Sequence, residues 1–511
     1  MSRTARAAGV AALAAAFVLA AVLGGRPLSH DDIFWHLRSG ELILGSGVVP
    51  TTDPFSYTLP GAPWVTHEWG FSLLLAAVAR VAGLASLVPL RSLLVVAFFA
   101  VVAAAAWRRT WEGLGRPMSP AALPLLALFV AVATWAVSRE LILRAALVGA
   151  LCFALLVLAL PAFRRRPTLG RGGAILALLL LWANLHSGVI FGLFLLAVAA
   201  AEAVVMAGRG SPGGRRLAAA APHLALLAAA SIVVLINPNG LEAPLYPFRL
   251  ALLLGDSASP FELGHFRGGW RGAQALLGLL VAAFALGLLR AVRRRRPLPT
   301  PGEIAALAVF AILSWASARL ALELVALAVP LAFALWTPRP AEVAIAGTEG
   351  SAPALRAPAG RGWLPTTSSV AVTLLCLAVA ALAWAARPPG PISAAFPAVA
   401  TDFLESNGLA GRRLFHHQNW GGYLGWRLDA PVFWDGRNDV FAPLAREVTT
   451  TPFPLVARRY GVEVLVLSPR ELQDLAPLLG PDGEWLFAHR SGAAFVFVRR
   501  DVARRVGGGA E

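Results

Sequence analysis

The sequence has no lysine and only two cysteines, and charged residues occupy only 14% of its 511 positions. Cys152 and Cys376 lie far apart in apolar segments, so no disulfide framework is expected. The sequence also lacks a Walker motif, a GxGxxG motif after a predicted strand and any pair of CxxC motifs. These absences argue against nucleotide-binding and structural zinc chemistry.

Arginine is the basic residue of this chain, and the formal net charge is +16. The arginines occur in short runs between apolar segments and do not cover one face of a folded domain. This pattern argues against a nucleic-acid partner. Because cytoplasmic loops of membrane proteins collect basic residues, the runs at 164–166, 209–216 and 293–296 predict which loops lie in the cytoplasm.

Hydrophobic residues make up 58% of the chain and form long, nearly uncharged segments. A bilayer core about 30 Å thick requires about 20 apolar residues per helix, and about ten segments approach that length. The predicted fold is therefore mainly α, a polytopic helical membrane protein in contact with the lipid bilayer. The predicted spans are residues 7–24, 71–87, 92–107, 121–137, 145–160, 217–236, 273–289, 304–318, 320–336 and 369–386.

The composition divides the chain into six parts. We predict a first transmembrane helix, a first external loop with amphipathic helices and the candidate active site, and a multi-span domain. A cytoplasmic linker rich in Pro, Gly, Ala and Ser, a last transmembrane helix and a C-terminal extracytoplasmic α/β domain follow. A cleaved signal peptide is the alternative for the first part. In order, the parts are residues 1–25, 26–70, 71–337, 338–368, 369–387 and 391–511.

In the C-terminal domain, the pattern predicts helices at 399–405 and 471–479. It predicts strands at 413–415, 431–434 and 462–467, and a hairpin from 485–489 and 494–499. Together these elements predict a small α/β domain.

Two features complicate the predicted topology. If the three arginine runs are cytoplasmic, the four segments between residues 71 and 160 contain one crossing too many. Either one of the four is re-entrant or broken, or Arg108 and Arg109 face outward. Residues 174–207 are predicted to form a hairpin of two helices with a polar break at 184–188, directed towards the external side.

The first external loop is dense in acidic, histidine and aromatic residues. Asp31 and Asp32 could bind a divalent cation such as Mg²⁺ or Mn²⁺, or one of them could act as a general base towards a substrate hydroxyl. The alternative is a solvated loop or a helix cap. His36 lies in the same segment, and His67 with Glu68 could extend the cluster towards a metal or a substrate.

Three arginines are candidates for binding a phosphate group: Arg139, Arg144 and Arg319. Arg319 could instead form a structural ion pair with Glu323, four residues later. His186, in the polar break, is either a site residue or a buried histidine with its hydrogen bonds satisfied.

The C-terminal domain contributes Trp420, Asp435 and Arg437 to the candidate site. They lie at the ends of predicted strands, where α/β domains bind ligands. Trp420 could stack on a sugar ring. The alternative is a turn whose polar side chains cap helices.

Several strings of this sequence resemble a known class of membrane enzymes. They are DDIFWHLRSGELI, VVPTTDPFSYT, WVTHEWG, LWANLHSG, INPNG, NWGGYLGWRL and VFWDGRNDVF. A first span, an acidic motif in the first external loop, many spans and a C-terminal external domain resemble the GT-C superfamily of glycosyltransferases. The strings themselves resemble a group of bacterial membrane proteins of that type, largely uncharacterised.

The resemblance implies transfer of a sugar from a polyprenyl-phosphate donor to a glycan, lipid or protein acceptor. The reaction would occur on the outer side of the bacterial cytoplasmic membrane. An acidic residue of the first external loop would act on the acceptor or orient the site, and Asp31 and Asp32 match it. Relatives tend to carry Arg-Pro near this position, where this chain has Arg139-Glu140, so the resemblance does not assign a role to Arg139.

Two other functions are compatible with a polytopic protein. A transporter is one, although the spans show no paired halves with matching Gly or Pro breaks. A non-catalytic member of an envelope-assembly complex, with the C-terminal domain as a docking module, is the other. Substitution of Asp31 and Asp32 by Asn distinguishes an enzyme from such a scaffold.

Overall fold

The computed structural model describes residues 3–114, 122–208, 213–255, 271–337, 363–480 and 483–507. Most of the predicted linker, residues 338–362, lies outside this part of the chain. The helices up to the last span are Arg3–Gly24 (α1), Asp32–Ser46 (α2), Trp69–Ala82 (α3), Leu87–Leu114 (α4), Leu123–Ala136 (α5), Ala145–Arg165 (α6), Leu169–Leu185 (α7), Val189–Gly208 (α8), Gly213–Val233 (α9), Glu242–Gly255 (α10), Arg271–Arg293 (α11), Pro301–Ala316 (α12), Ala321–Trp336 (α13) and Trp363–Ala385 (α14).

The helices have the length and composition of membrane spans. Within the described ranges, seven are long and apolar enough to cross a bilayer, in α1, α4, α6, α8, α11, α13 and α14. Five shorter apolar helices lie in α3, α5, α7, α9 and α12. The prediction of a mainly helical, polytopic membrane protein is confirmed.

Arginine side chains mark the two ends of the helical bundle, through ion pairs at one end and a hydrogen bond to a backbone carbonyl at the other. At one end Arg109 of α4 pairs with Glu303 of α12, and Arg164 of α6 pairs with Glu202 of α8. We call this the arginine end. At the opposite end, the side chain of Arg91 in the first turns of α4 donates to the carbonyl of Gly24, where α1 finishes.

These contacts explain the surplus crossing between residues 71 and 160. Helix α4 begins at the end of the bundle where α1 finishes, and α3 begins there too, because Trp69 donates to Asn184 at the end of α7. Both ends of α3 therefore lie at that end, and the predicted span at 71–87 is wrong. Arg108 and Arg109 lie at the arginine end with Arg164, so they need not face outward.

The predicted helical hairpin at 174–207 is present. Helix α7 ends at Leu185 and α8 begins at Val189, with His186 as the C-terminal cap of α7. The side-chain amide of Asn184 donates to the carbonyl groups of Leu180 and Ile236. These carbonyls and the indole of Trp69 satisfy the hydrogen-bonding groups of the Asn184 side chain. They hold the polar break where α7, the start of α3 and the segment after α9 meet, at the end of the bundle opposite the arginine end.

The C-terminal domain contains a four-stranded sheet flanked by short helices. Its strands are Leu414–His416 (β1), Val464–Leu467 (β2), Trp485–Arg490 (β3) and Phe495–Arg499 (β4), in the order β1-β2-β4-β3. Strands β1 and β2 are parallel, and the other pairs are antiparallel. Its helices are Ala398–Ser406 (α15), Gly421–Leu428 (α16), Asn438–Thr450 (α17), Phe453–Tyr460 (α18), Pro469–Leu475 (α19) and Arg500–Gly507 (α20).

The predicted strand at 431–434 is wrong. Val432 forms only an isolated bridge with Ser56 of the first loop. The backbone amide of Val432 donates to the Phe55 carbonyl, and the backbone amide of Tyr57 donates to the Val432 carbonyl. Phe433 packs on Phe415 of β1, with ring centroids 5.0 Å apart, but the segment does not pair as a strand of the sheet. The other predicted strands and both predicted helices correspond to observed elements, whereas α16, α17, α18 and α20 were not predicted.

The first loop, residues 26–70, and the C-terminal domain pack together. Leu28 bridges to Ile392, at the start of the C-terminal domain. The Phe34 ring lies edge-on to the rings of Phe396 and Tyr423, with centroids 5.1 and 5.0 Å away. The described loop contains one amphipathic helix, α2, where several were predicted.

Candidate active site

Asp31 connects the first loop to the C-terminal domain. Its two carboxylate oxygens accept hydrogen bonds from the backbone amides of Gly422 and Tyr423, each at 3.0 Å. These amides belong to the first turn of α16, whose N–H groups have no partner within the helix. Burial raises the pKa of Asp31 well above its usual range, and the two amide bonds oppose that shift. Asp31 therefore caps a helix of another domain.

Asp32 faces the helical bundle. Its Oδ2 atom lies 2.9 Å from Nη2 of Arg144 and 3.3 Å from Nδ1 of His30, and Oδ1 accepts from the indole N–H of Trp35 at 3.2 Å. Burial alone would raise the pKa of Asp32, but the nearby positive charges outweigh it and the net shift is downward. A carboxylate and an arginine predicted to bind phosphate are therefore in direct contact.

Gly436 of the C-terminal domain lies against Asp32. A Cβ atom on Gly436 would lie 2.6 Å from Asp32 Oδ1. Only glycine leaves space for the carboxylate here, so the C-terminal domain covers Asp32 closely.

Glu68 lies among three histidines. His36 Nε2 is 3.3 Å from Glu68 Oε2, and the Nε2 atoms of His67 and His186 are 3.5 and 3.6 Å from Oε1. Although burial opposes ionisation, His67 and His36 hold the pKa of Glu68 well below its usual range. Ser72 contacts the other ring nitrogen of His36 at 2.8 Å. The cluster joins α2, α3 and the α7–α8 break.

The pKa values of His67 and His186 are shifted in opposite directions. Burial alone would lower the pKa of His67, but the charge and hydrogen bond of Glu68 outweigh it and raise that pKa. Burial lowers the pKa of His186 to about 4, despite the same carboxylate. His67 is thus the charged partner of Glu68, whereas His186 is neutral at physiological pH and can accept or donate through its ring nitrogens.

Two residues that the sequence did not indicate extend this cluster. The Tyr246 ring of α10 stacks on His67, with centroids 3.6 Å apart, and its hydroxyl is hydrogen-bonded to Asp439 of α17. Burial raises the pKa of Asp439. Asp439 belongs to the string VFWDGRNDVF, so the sequence could have indicated it as a candidate site residue. No sequence pattern indicates Tyr246. His30, which precedes Asp31, was also not predicted to be a site residue.

Arg437 lies in a separate buried cluster. Its guanidinium contacts Asp435 and Asp53 at 2.7 Å each and lies over the ring of Trp64, 4.5 Å from its centroid. The Arg437 and Asp53 side chains are 1% and 0% exposed. The two carboxylates raise the pKa of Arg437 despite its burial. This cluster joins the first loop to the C-terminal domain.

The remaining predicted residues are more distant from Asp32. Arg139 lies near Arg26, whose pKa it lowers together with the larger effect of burial. Arg319 lies in a single 3₁₀ turn between α12 and α13, and its charge acts on Tyr246. The Trp420 ring is buried and its indole N–H donates to the Ala395 carbonyl. Trp420 therefore presents no open face for a sugar ring.

The Asp31 and Asp32 carboxylates do not form a convincing cation site. Both oxygens of Asp31 accept amide hydrogen bonds, and those of Asp32 contact Arg144, His30 and Trp35. Among the residues that the structure describes, no group of three or more His, Cys, Asp or Glu side chains is arranged to hold a metal ion. We therefore derive no chemical step through a metal.

The fold and the buried polar cluster between the bundle and the C-terminal domain are those of a polytopic membrane protein with a small C-terminal α/β domain. No protein-family model and no curated protein matches the sequence. The structure is similar to the oligosaccharyltransferase of Archaeoglobus fulgidus in its apo form, with a TM-score of 0.52 and 14% identity. That similarity covers 95% of this chain and 74% of the oligosaccharyltransferase.

A bacterial structure is similar over nearly its whole length. It is ArnT from Cupriavidus metallidurans bound to undecaprenyl phosphate, with a TM-score of 0.51, 15% identity, and coverage of 96% of this chain and 97% of ArnT. The oligosaccharyltransferase AglB from Archaeoglobus fulgidus has also been solved with an inhibitory peptide and a dolichol-phosphate, and with Zn and sulfate. These proteins are members of the GT-C superfamily.

Proposed function

We propose that this protein is a GT-C-type glycosyltransferase of the bacterial cytoplasmic membrane. It transfers a sugar from a polyprenyl-phosphate donor to an envelope acceptor, a glycan, lipid or protein, on the outer side, where the C-terminal domain lies. The observation that carries this proposal is the 2.9 Å contact between Asp32 and Arg144. It pairs a candidate base with a candidate phosphate ligand beneath the C-terminal domain.

The chemistry of the transfer requires both groups. The acceptor hydroxyl oxygen attacks the anomeric carbon while the bond from that carbon to the donor phosphate breaks. The hydroxyl proton passes to the carboxylate of Asp32, and polyprenyl phosphate leaves with its charge stabilised by Arg144.

Arg144 also links donor binding to the basicity of Asp32. In the structure, Arg144 and His30 contribute to the lowered pKa of Asp32, which makes it a weak base. A donor phosphate attracts the guanidinium of Arg144 and reduces its effect on Asp32. The pKa of Asp32 then rises, so the base becomes effective when the donor is bound.

Asp31 and Glu68 act as positioning residues in this proposal. Asp31 holds the first turn of α16 against the loop that carries Asp32. Glu68 with its three histidines holds α2 and α3 against the break between α7 and α8. Neither carboxylate needs to contact the reacting atoms.

A complementation experiment tests the proposal. In a strain lacking the gene, we expect a lipid-linked sugar to accumulate and one envelope glycan to lose that sugar, both measured by mass spectrometry. The wild-type gene should restore both, whereas Asp32→Asn should not, despite normal amounts of protein in the membrane.

Asp429→Asn is the matched control, because the Asp429 side chain is fully exposed. We expect it to complement like the wild type. Full complementation by Asp32→Asn contradicts the proposed role of Asp32. Unchanged lipid-linked sugars and glycans in the deletion strain contradict the transferase itself and favour a non-catalytic role.

A further inference from the structure

A groove lies at the end of the bundle opposite the arginine end, between α1, α4 and α14. Its volume is about 700 Å³, within the range of small-molecule sites in proteins. Apolar side chains such as Val22 of α1 and Val88 of α4 line it. Trp384 and Arg387 border it near the end of α14, and residues 388–391, which lead to the C-terminal domain, complete its lining.

Three arginines collect beside this groove: Arg26, Arg91 and Arg387. The charges of Arg26 and Arg387 act on Arg91, and the charge of Arg139 acts on Arg26. Arg91 donates to the backbone carbonyls of Gly24 and Arg26, which carry no net charge. Within the described part of the chain, none of the three forms an ion pair, and no carboxylate acts on Arg26 or Arg91. The cluster therefore keeps a net positive charge.

This concentration of like charge calls for an anion. Arg91 is buried, and Arg26 and Arg387 are half-buried, so water screens their mutual repulsion less than it would at an open surface. An anion bound in the groove offsets that repulsion. Guanidinium groups bind phosphate oxygens through charge-assisted hydrogen bonds, which makes a phosphate group the best match.

The surroundings of the groove favour a lipid as the carrier of that phosphate. Only 17% of the span in α14 is buried inside the protein, so lipid covers most of this helix. The Arg387 guanidinium lies over the Trp384 ring, 5.1 Å from its centroid, and exposed tryptophans are typical of the membrane–water interface. A small anion would leave the apolar lining uncovered, and a neutral lipid would leave the arginines without a counter-charge.

We propose that this groove binds an anionic glycerophospholipid, with its phosphate at Arg387 and its hydrocarbon along α1 and α4. The lining contains neither Asp32 nor Arg144, so the site is separate from the candidate active site and does not depend on the transferase reaction. The bound lipid joins the end of α14 to the adjacent ends of α1 and α4. Because α14 leads into the C-terminal domain, the lipid also strengthens the attachment of that domain to the bundle.

Native mass spectrometry of the delipidated full-length protein in detergent tests this inference. Phosphatidylglycerol, phosphatidylcholine, undecaprenyl phosphate and inorganic phosphate are added separately. We expect one phosphatidylglycerol to bind, and each of the other three to bind about tenfold more weakly or less. Phosphatidylglycerol should also raise the melting temperature, because it binds the folded protein.

Two variants locate the binding. Arg387→Gln removes a charge from the lining, and Ala85→Phe fills part of the groove from an exposed position. We expect each to weaken phosphatidylglycerol binding about tenfold. Their matched controls are Arg80→Gln and Ala82→Phe, which alter exposed positions of α3 at the same end of the bundle, outside the lining.

The melting temperature of Arg387→Gln separates binding from a general loss of stability. Without lipid, this variant should melt at or above the temperature of the wild type, because one source of like-charge repulsion is gone. With phosphatidylglycerol, only the wild type and the two controls should be stabilised.

Four results would overturn the inference. Equal binding of phosphatidylcholine and phosphatidylglycerol would remove the role of charge, and inorganic phosphate bound as tightly as lipid would remove the role of the apolar lining. Preference for undecaprenyl phosphate would make the groove part of the donor or product path. Equal weakening by Arg80→Gln and Arg387→Gln would indicate a diffuse surface effect.

Discussion

The carboxylate of Asp31 caps the first turn of α16 and accepts a hydrogen bond at 3.0 Å from the backbone amide of Gly422, 391 residues later in the chain. The adjacent Asp32 faces the bundle and contacts Arg144. Two neighbouring acids thus serve different purposes, because successive side chains at the start of α2 point in different directions. One fixes the C-terminal domain, and the other enters the candidate active site.

Gly422→Ala tests the contact between the two domains. A Cβ atom at this position would lie 2.7 Å from the backbone oxygen of Asp31 and 3.0 Å from its Oδ2. The C-terminal domain must therefore shift, and we expect a loss of about 1–3 kcal/mol in the free energy of unfolding. Thermal unfolding in detergent measures the loss.

Gly411→Ala is the control for this substitution, because a Cβ atom there meets no atom within 4 Å. We expect its melting temperature to be close to that of the wild type. Equal melting temperatures for the two variants would show that the contact between Asp31 and Gly422 is not tight.

Arg437→Met tests the buried charge cluster. The substitution keeps a long apolar side chain but leaves the carboxylates of Asp53 and Asp435 without their shared cation. Removing one partner of a buried ion pair costs about 3–5 kcal/mol, and we expect a loss of that size. Arg437→Lys keeps the charge but cannot reproduce the planar contacts, so its loss should be intermediate.

The control is Arg459→Met. Arg459 pairs with Glu447 at the surface and its side chain is 65% exposed. An exposed pair contributes about 0–1 kcal/mol, so this variant should unfold nearly as the wild type does. Similar losses for the Arg437 and Arg459 variants would contradict the assignment of a buried, structural cluster.

The pair of His67 and Glu68 predicts a pH-dependent contribution to stability. The pKa of His67 is raised above its ordinary value of 6.5. Its contribution is therefore fully present below pH 6.5 and lost as the pH rises through the raised value. The pKa of Glu68 is lowered, so its contribution is present above the ordinary value of 4.5 and lost as the pH falls towards the lowered value.

We therefore expect His67→Gln to lower the melting temperature most near pH 6 and less at alkaline pH. The substitution also removes the stacking of His67 on Tyr246, which lowers the melting temperature by the same amount at every pH. His489→Gln is the control, because His489 stacks on Phe403 outside the Glu68 cluster. A difference for His67→Gln that stays constant from acidic to alkaline pH would rule out a charged partner for Glu68.

The proposed topology predicts opposite labelling of two positions. Ser406→Cys lies on the surface of the C-terminal domain, and Gly170→Cys lies at the arginine end, where a side chain meets no neighbour. Both native cysteines are buried. A membrane-impermeant maleimide should label position 406 in intact spheroplasts and position 170 only after lysis. The reverse pattern would place the candidate active site in the cytoplasm.

Local sequence predicted much of the fold. The apolar segments, the break near His186 and the closing hairpin of the C-terminal domain depend on the length and pattern of short segments. The segment at 71–87 misled the prediction, because the first part of that apolar run forms α3, which packs on α2 without crossing the bundle. The apolar side chains of α3 pack against α2 at the end of the bundle opposite the arginine end. Composition alone does not distinguish such a helix from a membrane span.

The sequence by itself determined that the chain is a polytopic membrane protein with acids and histidines concentrated in its first loop. Only the tertiary structure decided that Asp31 caps α16, that Asp32 meets Arg144, and that Tyr246 and Asp439 join His67. Segment hydrophobicity is a local property, whereas these contacts join residues that are distant in sequence. Their geometry depends on how the loop, the bundle and the C-terminal domain pack against one another.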